Sequence, residues 1–407
     1  MTTTLRARLV WLGPGKVLAP GELSWDARGR LRSVRRARGP CLDLLVAPGL
    51  VNAHVHLQLG PLRRQRTGFV PWVRQLMGER ASQSEVAWQR AAQQHLSDLL
   101  ASGTTAVGEI DSSGASPALV RATGMAGRCY RELTGFHLGG DEARQLVAHR
   151  TVRGTVDCGN GLSPHAPYSV SAALFRAARA RRVPLSVHLA ETEEEQQFLR
   201  AGTGPFAQLL RDLGRLPEEF RPVGVGAVEH LERLGVLGPA TQLVHCQHLL
   251  RGDAERIARS GSPVVVCPGT IAWFRREAPP VSAWLRRGIV VGLGTDSAAS
   301  NREPLSMVAE LARAARLWPA IHPEQLLAMA TVHGAASIVR PDLGVLRRGG
   351  RMDAVAWPAG SDRVGQVLDR VLARAELPAF TWLRGLGSAC ANSYRGSTRA
   401  AAAAPRG

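Results

Sequence analysis

At 407 residues, with 45% hydrophobic and 21% charged content, the chain has a globular protein's composition and can bury a large core. It has no run of about 18 apolar residues, so no membrane helix is expected. The net charge of +18 comes from basic residues that are almost all arginine and are dispersed (Arg35-Arg36, Arg63-Arg64, Arg181-Arg182, Arg275-Arg276, Arg286-Arg287, Arg347-Arg348) rather than gathered in one block, with Lys16 the one lysine. With only 5% aromatics and no recognised nucleic-acid module, dedicated nucleic-acid binding is not expected, although the surface should attract anions. The start at Met1 lacks the apolar core of a secretion signal, and six scattered cysteines form no CxxC pair. Both features point to a reducing cytoplasm.

Residues 1–46 read as short strands and turns. Leu9–Leu12 runs into Gly13-Pro14-Gly15, and Gly21–Trp25 runs into a turn over Asp26–Gly29, the pattern of hairpins in a small β unit. From Val46 to about Ser337, apolar strands alternate with helical stretches. Leu50–His56, Thr104–Ile110, Arg128–Leu133, Val156–Leu162, Leu185–His188, Gln242–His245, Val264–Cys267 and Ile289–Asp296 are the strand candidates. Val86–Leu100 and Ser171–Arg182 read as helices, with Ser171 suited to an N-cap. Continuous apolar runs separated by helices are what buried parallel strands look like. Eight such units predict an α/β fold, a (β/α)₈ barrel whose functional residues gather at the C-terminal strand ends. After Gly344, Asp353–Trp357 and Phe380–Leu383 read as strands again. The expected organisation is a barrel over 47–340, a composite β domain from 1–46 and 341–390, and a disordered tail over 391–407. No internal repeat is present.

Period-two alternation in a strand over Leu50–His56 puts His54 and His56 on one face, where they can share a borderline metal such as Zn²⁺ or Fe²⁺. A lone His-x-His is a weak signal, and a strand-end histidine is more often structural than a ligand. Here, however, His188, His245 and Asp296 also end apolar strands. Three neutral imidazoles with one carboxylate make a mixed N/O site that leaves a position for water, a catalytic arrangement. Many binuclear metal barrels bridge their ions with a carboxylated lysine on the fourth strand. Lys16 precedes the barrel, so one ion per chain is expected.

The stretches PGLVNAHVH (Pro48–His56), PHAPYSVS (Pro164–Ser171), HLAE (His188–Glu191), HCQHL (His245–Leu249) and GTDSAASN (Gly294–Asn301) resemble the amidohydrolase superfamily. Within it they are similar to the nucleoside and nucleobase deaminase branch, in family order and over most of the barrel. The resemblance implies that His54, His56, His188 and Asp296 hold one divalent metal. It further implies that Asp296 takes a proton from the attacking water, that His245 orients it, and that Glu191 shuttles protons to the ring nitrogen and the leaving ammonia. His165 resembles a histidine that reaches the substrate from the fourth-strand loop; the lesser alternative is a satisfied loop histidine. Glu191 is followed by Glu193, Glu194 and Glu195, and acidic residues also favour a helix start. Glu109 and Glu132 could bind substrate, cap or pair with arginine. Tyr168 is read as packing, and Cys246, Cys267 and His248 as structural.

Two departures stand out. Cys267–Ile271 reads CPGTI, where many relatives carry Cys-Pro-Arg-Ser-Asn in a loop on the substrate side. Gln58 stands where many relatives have an acid. The loop EEQQFLRAGTGPF (Glu194–Phe206) resembles bacterial members associated with 6-aminodeoxyfutalosine deamination in menaquinone biosynthesis. That substrate's benzoate would suit an arginine-rich mouth. S-adenosylhomocysteine, methylthioadenosine, adenosine, guanine and other N-heterocycles stay open, as does dechlorinating or amide-cleaving hydrolysis, because fold and metal do not set the leaving group. A homodimer is a family-level expectation only. A catalytically dead scaffold and a nucleic-acid binder are the competing classes. Metal analysis and steeply salt-dependent binding, respectively, would reveal them.

Overall fold

The computed structural model describes residues 2–62, 68–151, 154–301 and 304–389. The expected tail over 391–407 and the pair Arg63-Arg64 lie outside the described residues. The first five strands are β1 (Thr2–Gly13), β2 (Lys16–Leu18), β3 (Gly21–Asp26), β4 (Leu31–Arg36) and β5 (Leu42–Pro48). Gly49 separates them from β6 (Leu50–Val55), β7 (Thr104–Asp111), β8 (Ala126–Leu133), β9 (Cys158–Pro164), β10 (Leu185–Leu189), β11 (Thr241–His245), β12 (Val264–Val266) and β13 (Val291–Leu293). The last three are β14 (Ala354–Pro358), β15 (Phe380–Leu383) and β16 (Leu386–Ala389).

Strands β6 to β13 form one sheet in sequence order, every neighbour parallel. Each residue of β7, β10 and β11 is buried, as expected for strands covered on both faces. Across the seam between β6 and β13 no regular ladder forms. Instead the Asp296 amide donates to the His54 carbonyl at 3.1 Å, and Asn52 exchanges two bonds with Thr295 at 2.8 and 3.0 Å. Gly294 makes this approach possible, because a Cβ there would fall 2.7 Å from the His54 carbonyl oxygen.

The second sheet runs β16-β15-β14-β5-β1-β3-β4, with β2 on β1. Its middle joins the two chain ends: β14 lies antiparallel to β5, with Ala354 opposite Pro48 and Pro358 opposite Leu44. The predicted composite sheet is therefore present. Some bounds differ from the sequence reading. His56 lies one residue beyond β6, and Asp296 lies three beyond β13, because both strands stop where the chain turns out of the barrel. Strand β9 starts at Cys158 rather than Val156. The C-terminal segment also holds a helix, Val364–Arg374, whose buried Val364, Val367, Leu368, Val371 and Leu372 form one apolar stripe. It packs against the helices Met307–Leu317 and Pro323–Met329. Ser171 caps its helix as expected, accepting from the Leu174 amide at 3.1 Å. Among the described residues no helix is long and apolar enough to cross a membrane.

Candidate active site

The C-terminal ends of the barrel strands bring together five residues from distant parts of the sequence. The metal-capable nitrogens of His54, His56 and His188 all lie within 4.8 Å of one another. Nε2 of His56 and Nε2 of His188 are 3.2 Å apart. Oδ1 of Asp296 is 3.6 Å from Nε2 of both His54 and His56. The His245 ring lies 5.5 Å from that of His188, centroid to centroid.

Burial pushes the imidazole pKa down to about 4 for His54 and about 3 for His56 and His245, so these rings are neutral near pH 7 with lone pairs free. Burial works against the charge of Asp296, but the imidazoles around it, His54 first, hold its carboxyl well below the usual range. Both ring nitrogens of His54 are buried without a hydrogen-bond partner, an arrangement that is costly unless something else satisfies them. A divalent cation fits this donor set. The remaining oxygen, Oδ2 of Asp296, accepts from Thr270 at 2.9 Å and Ser300 at 2.8 Å, and Nδ1 of His188 faces the His165 carbonyl at 3.0 Å. Such outer contacts orient ligands.

Glu191 is buried three residues past His188. Its Oε2 lies 3.7 Å from Nε2 of His245, and its Oε1 accepts from Nη1 of Arg276 at 3.0 Å. The turn that carries it is held by Glu195, whose two oxygens accept from the Ala190 and Glu191 amides at 3.0 Å each. The strand-end turns are strained: Ala190, His245, Cys246 and Asp296 have φ of 49°, 72°, 50° and 57°, a region disfavoured for residues with a Cβ and typical of functional sites.

A cavity of about 330 Å³ opens over these groups. His165 lines it, bonded through Nδ1 to the Ser169 hydroxyl at 2.7 Å; burial lowers its pKa to about 3. Tyr168 also lines it while stacking on Phe206 at 3.9 Å, so packing and pocket wall are one role. Glu132 reaches the cavity and pairs with Arg80 at 3.4 Å, whereas Glu109 is spent on the Leu57 amide and Ser116.

The loop over Cys267–Ile271 is a correction. Rather than forming the wall of this cavity, it backs the site, with Thr270 on Asp296 and the Gly269 amide on Glu310 at 2.6 Å. A side chain at position 269 would collide with Asn301. Gln58 likewise bonds behind the site, to Asp111, Ser113 and Ser116. Sequence reading missed Arg276 and Glu195. Arg276 carried no signal, being one of many arginines. Glu195 did: Thr192-x-x-Glu195 is a capping-box pattern, and Thr192 does cap, accepting from the Glu195 amide at 3.2 Å.

The amidohydrolase family model matches residues 45–380. The chain belongs to that family. This amidohydrolase is 31% identical over 369 residues to the aminodeoxyfutalosine deaminase of Deinococcus radiodurans, covering 83% of this chain and 84% of that one. It is 32% identical over 380 residues to a 5-methylthioadenosine/S-adenosylhomocysteine deaminase of Nitratidesulfovibrio vulgaris, covering 86% and 79%. Among solved structures, Helicobacter pylori aminofutalosine deaminase superposes with a TM-score of 0.79 at 19% identity, covering 95% of this amidohydrolase and all, 100%, of that chain. The zinc complex of atrazine chlorohydrolase from Arthrobacter aurescens gives 0.76 at 18% identity, covering 94% of each. These likenesses agree with the barrel fold.

Proposed function

We propose that this amidohydrolase is a metal-dependent deaminase that hydrolyses the amino group from an aminopurine nucleoside-like ring, with 6-aminodeoxyfutalosine as its substrate. The observation that carries this reading is the convergence of His54, His56, His188 and Asp296 with Glu191 and His245 at the floor of one cavity. The relatives named deaminases support it, and one of them, at 31% identity, is named for this substrate. That substrate places the enzyme in menaquinone biosynthesis, in the cytoplasm.

His54, His56, His188 and Asp296 would hold one divalent ion, Zn²⁺ before Fe²⁺ given three imidazoles and one carboxylate. Bound there, it supplies Lewis acidity that brings a water's pKa near neutrality. Asp296, held ionised by its surroundings, accepts a proton from the attacking water. His245 orients that water toward the ring carbon bearing the amino group. Glu191 passes on the water's two protons: the one taken by Asp296 goes through it to the adjacent ring nitrogen, and the one left on the added hydroxyl goes through it to the departing ammonia as the C–N bond breaks, which needs a carboxyl within reach of both. Its bond to Arg276 holds the carboxylate in place for the return of the proton. His165 borders the substrate from the fourth-strand loop.

The test is ammonia release by zinc-loaded protein offered 6-aminodeoxyfutalosine, adenosine, S-adenosylhomocysteine, methylthioadenosine and guanine. Release from 6-aminodeoxyfutalosine at the highest kcat/KM is expected. Release only from another of these would overturn the substrate. No release from any, with one metal bound per chain, would overturn deamination in favour of a different leaving group, such as chloride.

A further inference from the structure

Five charged side chains line the cavity: Arg80, Glu132, Glu191, Arg215 and Asp296. The three carboxylates are all engaged. Asp296 faces the histidines, Thr270 and Ser300. Glu191 is held by Arg276, and Glu132 takes the Ser112 hydroxyl at 2.7 Å and Arg80. Arg215 differs. Its side chain is half-buried in the cavity wall and, among the described residues, has no hydrogen bond or ion pair. Its amide closes the turn after the helix Pro205–Asp212, donating to the Leu210 carbonyl at 2.8 Å, so the backbone bearing the guanidinium is anchored. The same cavity wall carries Trp72, Leu76, Leu209, Leu210 and Leu213. A partly desolvated guanidinium with no carboxylate partner is a strong site for an anion, since its donors match a carboxylate in a planar fork.

We propose that Arg215 is a specificity-determining residue that ion-pairs a carboxylate carried on an apolar, otherwise neutral tail of the substrate. An arenecarboxylate has this chemistry: the ring lies against the leucines and tryptophan, and the carboxylate meets Arg215. A neutral thioether tail leaves Arg215 without a counter-ion. An amino-acid tail satisfies Arg215 but brings an ammonium, and no cavity carboxylate is left over to receive it. This inference rests on the deaminase reading for which end of the ligand reacts.

Two measurements separate its fate from that of the deaminase reading. The first compares kcat/KM for 6-aminodeoxyfutalosine and for methylthioadenosine in the wild type, Arg215→Gln and Arg215→Lys. The ratio between the substrates should fall about 10- to 100-fold in Arg215→Gln, mostly through KM, and recover in part in Arg215→Lys. An unchanged ratio, including an equal loss on both substrates, would overturn the proposal while leaving deamination intact. The second is calorimetric binding of 3-acetylbenzoate, which needs no turnover. Affinity should weaken at least about tenfold in Arg215→Gln, and equal affinity in both proteins would overturn the proposal even if no substrate is deaminated. If Arg215→Gln does not fold, Arg215→Met takes its place in both.

Discussion

The two ends of the barrel use buried polar residues in opposite ways. At the N-terminal end, arginines are saturated. Arg128 donates to the carbonyls of Ile338, Val339 and Asn160. Arg340 reaches the Gly127 and Asp157 carbonyls and Asp342. Arg351 ties Asp353, before β14, to Asp157 and the Gly124 carbonyl. These contacts staple the loops under β8 and β9 to the segments around them. At the C-terminal end, ring nitrogens of His56 and His188 face one another, both His54 nitrogens lack a hydrogen-bond partner, and the turns sit at positive φ. One end gains stability from polar groups, and the other leaves the His54 ring nitrogens unsatisfied. The contrast also bears on the net charge, since part of the arginine excess is consumed on backbone carbonyls rather than displayed to partners.

The largest effect that would sharpen this contrast is metal removal. Dialysis against a chelator should reduce deamination to background, and Zn²⁺ should restore it, with metal content and ammonia release measured on the same samples. Background-level activity from loaded protein together with full activity from stripped protein would break the functional reading of the C-terminal end. Next in size is Glu191→Gln, expected to lower kcat by about 10²- to 10⁴-fold with metal still bound. A loss below threefold would remove Glu191 from proton transfer.

The third acts on the other end. Arg128→Met strands one buried and two part-buried carbonyls and should cost about 2 kcal/mol, read as a lower urea midpoint at unchanged slope, with kcat within about twofold of wild type. A large fall in kcat in a fully folded variant would show that the two ends are not independent. The fourth is a pH effect on the metal-free protein. His54, His56, His165 and His245 have folded pKa values depressed to about 3 or 4, below the unfolded value of about 6.5. Between these values the unfolded chain binds more protons, so stability is full above about pH 6.5 and is lost as pH falls toward 4. Each histidine adds up to about 1.4 kcal/mol per pH unit. A melting temperature flat between pH 7 and 5 would show that these rings are protonated in the fold.

What the sequence determined by itself follows from local rules. Strand-length apolar runs between helical stretches specified the barrel and its order, because parallel strands covered on both faces must be apolar throughout. Period two placed His54 and His56 together, and the strand-end rule pointed to His188, His245 and Asp296. The helix Val364–Arg374 was legible in its apolar stripe, and Glu195 in its capping-box spacing, although neither was read. Only the tertiary structure decided what depends on contacts between distant segments. Arg276 meets Glu191 across 85 positions of sequence, and nothing in its neighbourhood sets it apart from the other arginines. The closure through Asn52, Thr295 and Gly294 spans about as much of the barrel as any contact can. Which arginine is satisfied and which, like Arg215, is left facing a cavity is a matter of what lies within hydrogen-bond reach, and local periodicity carries no information about that.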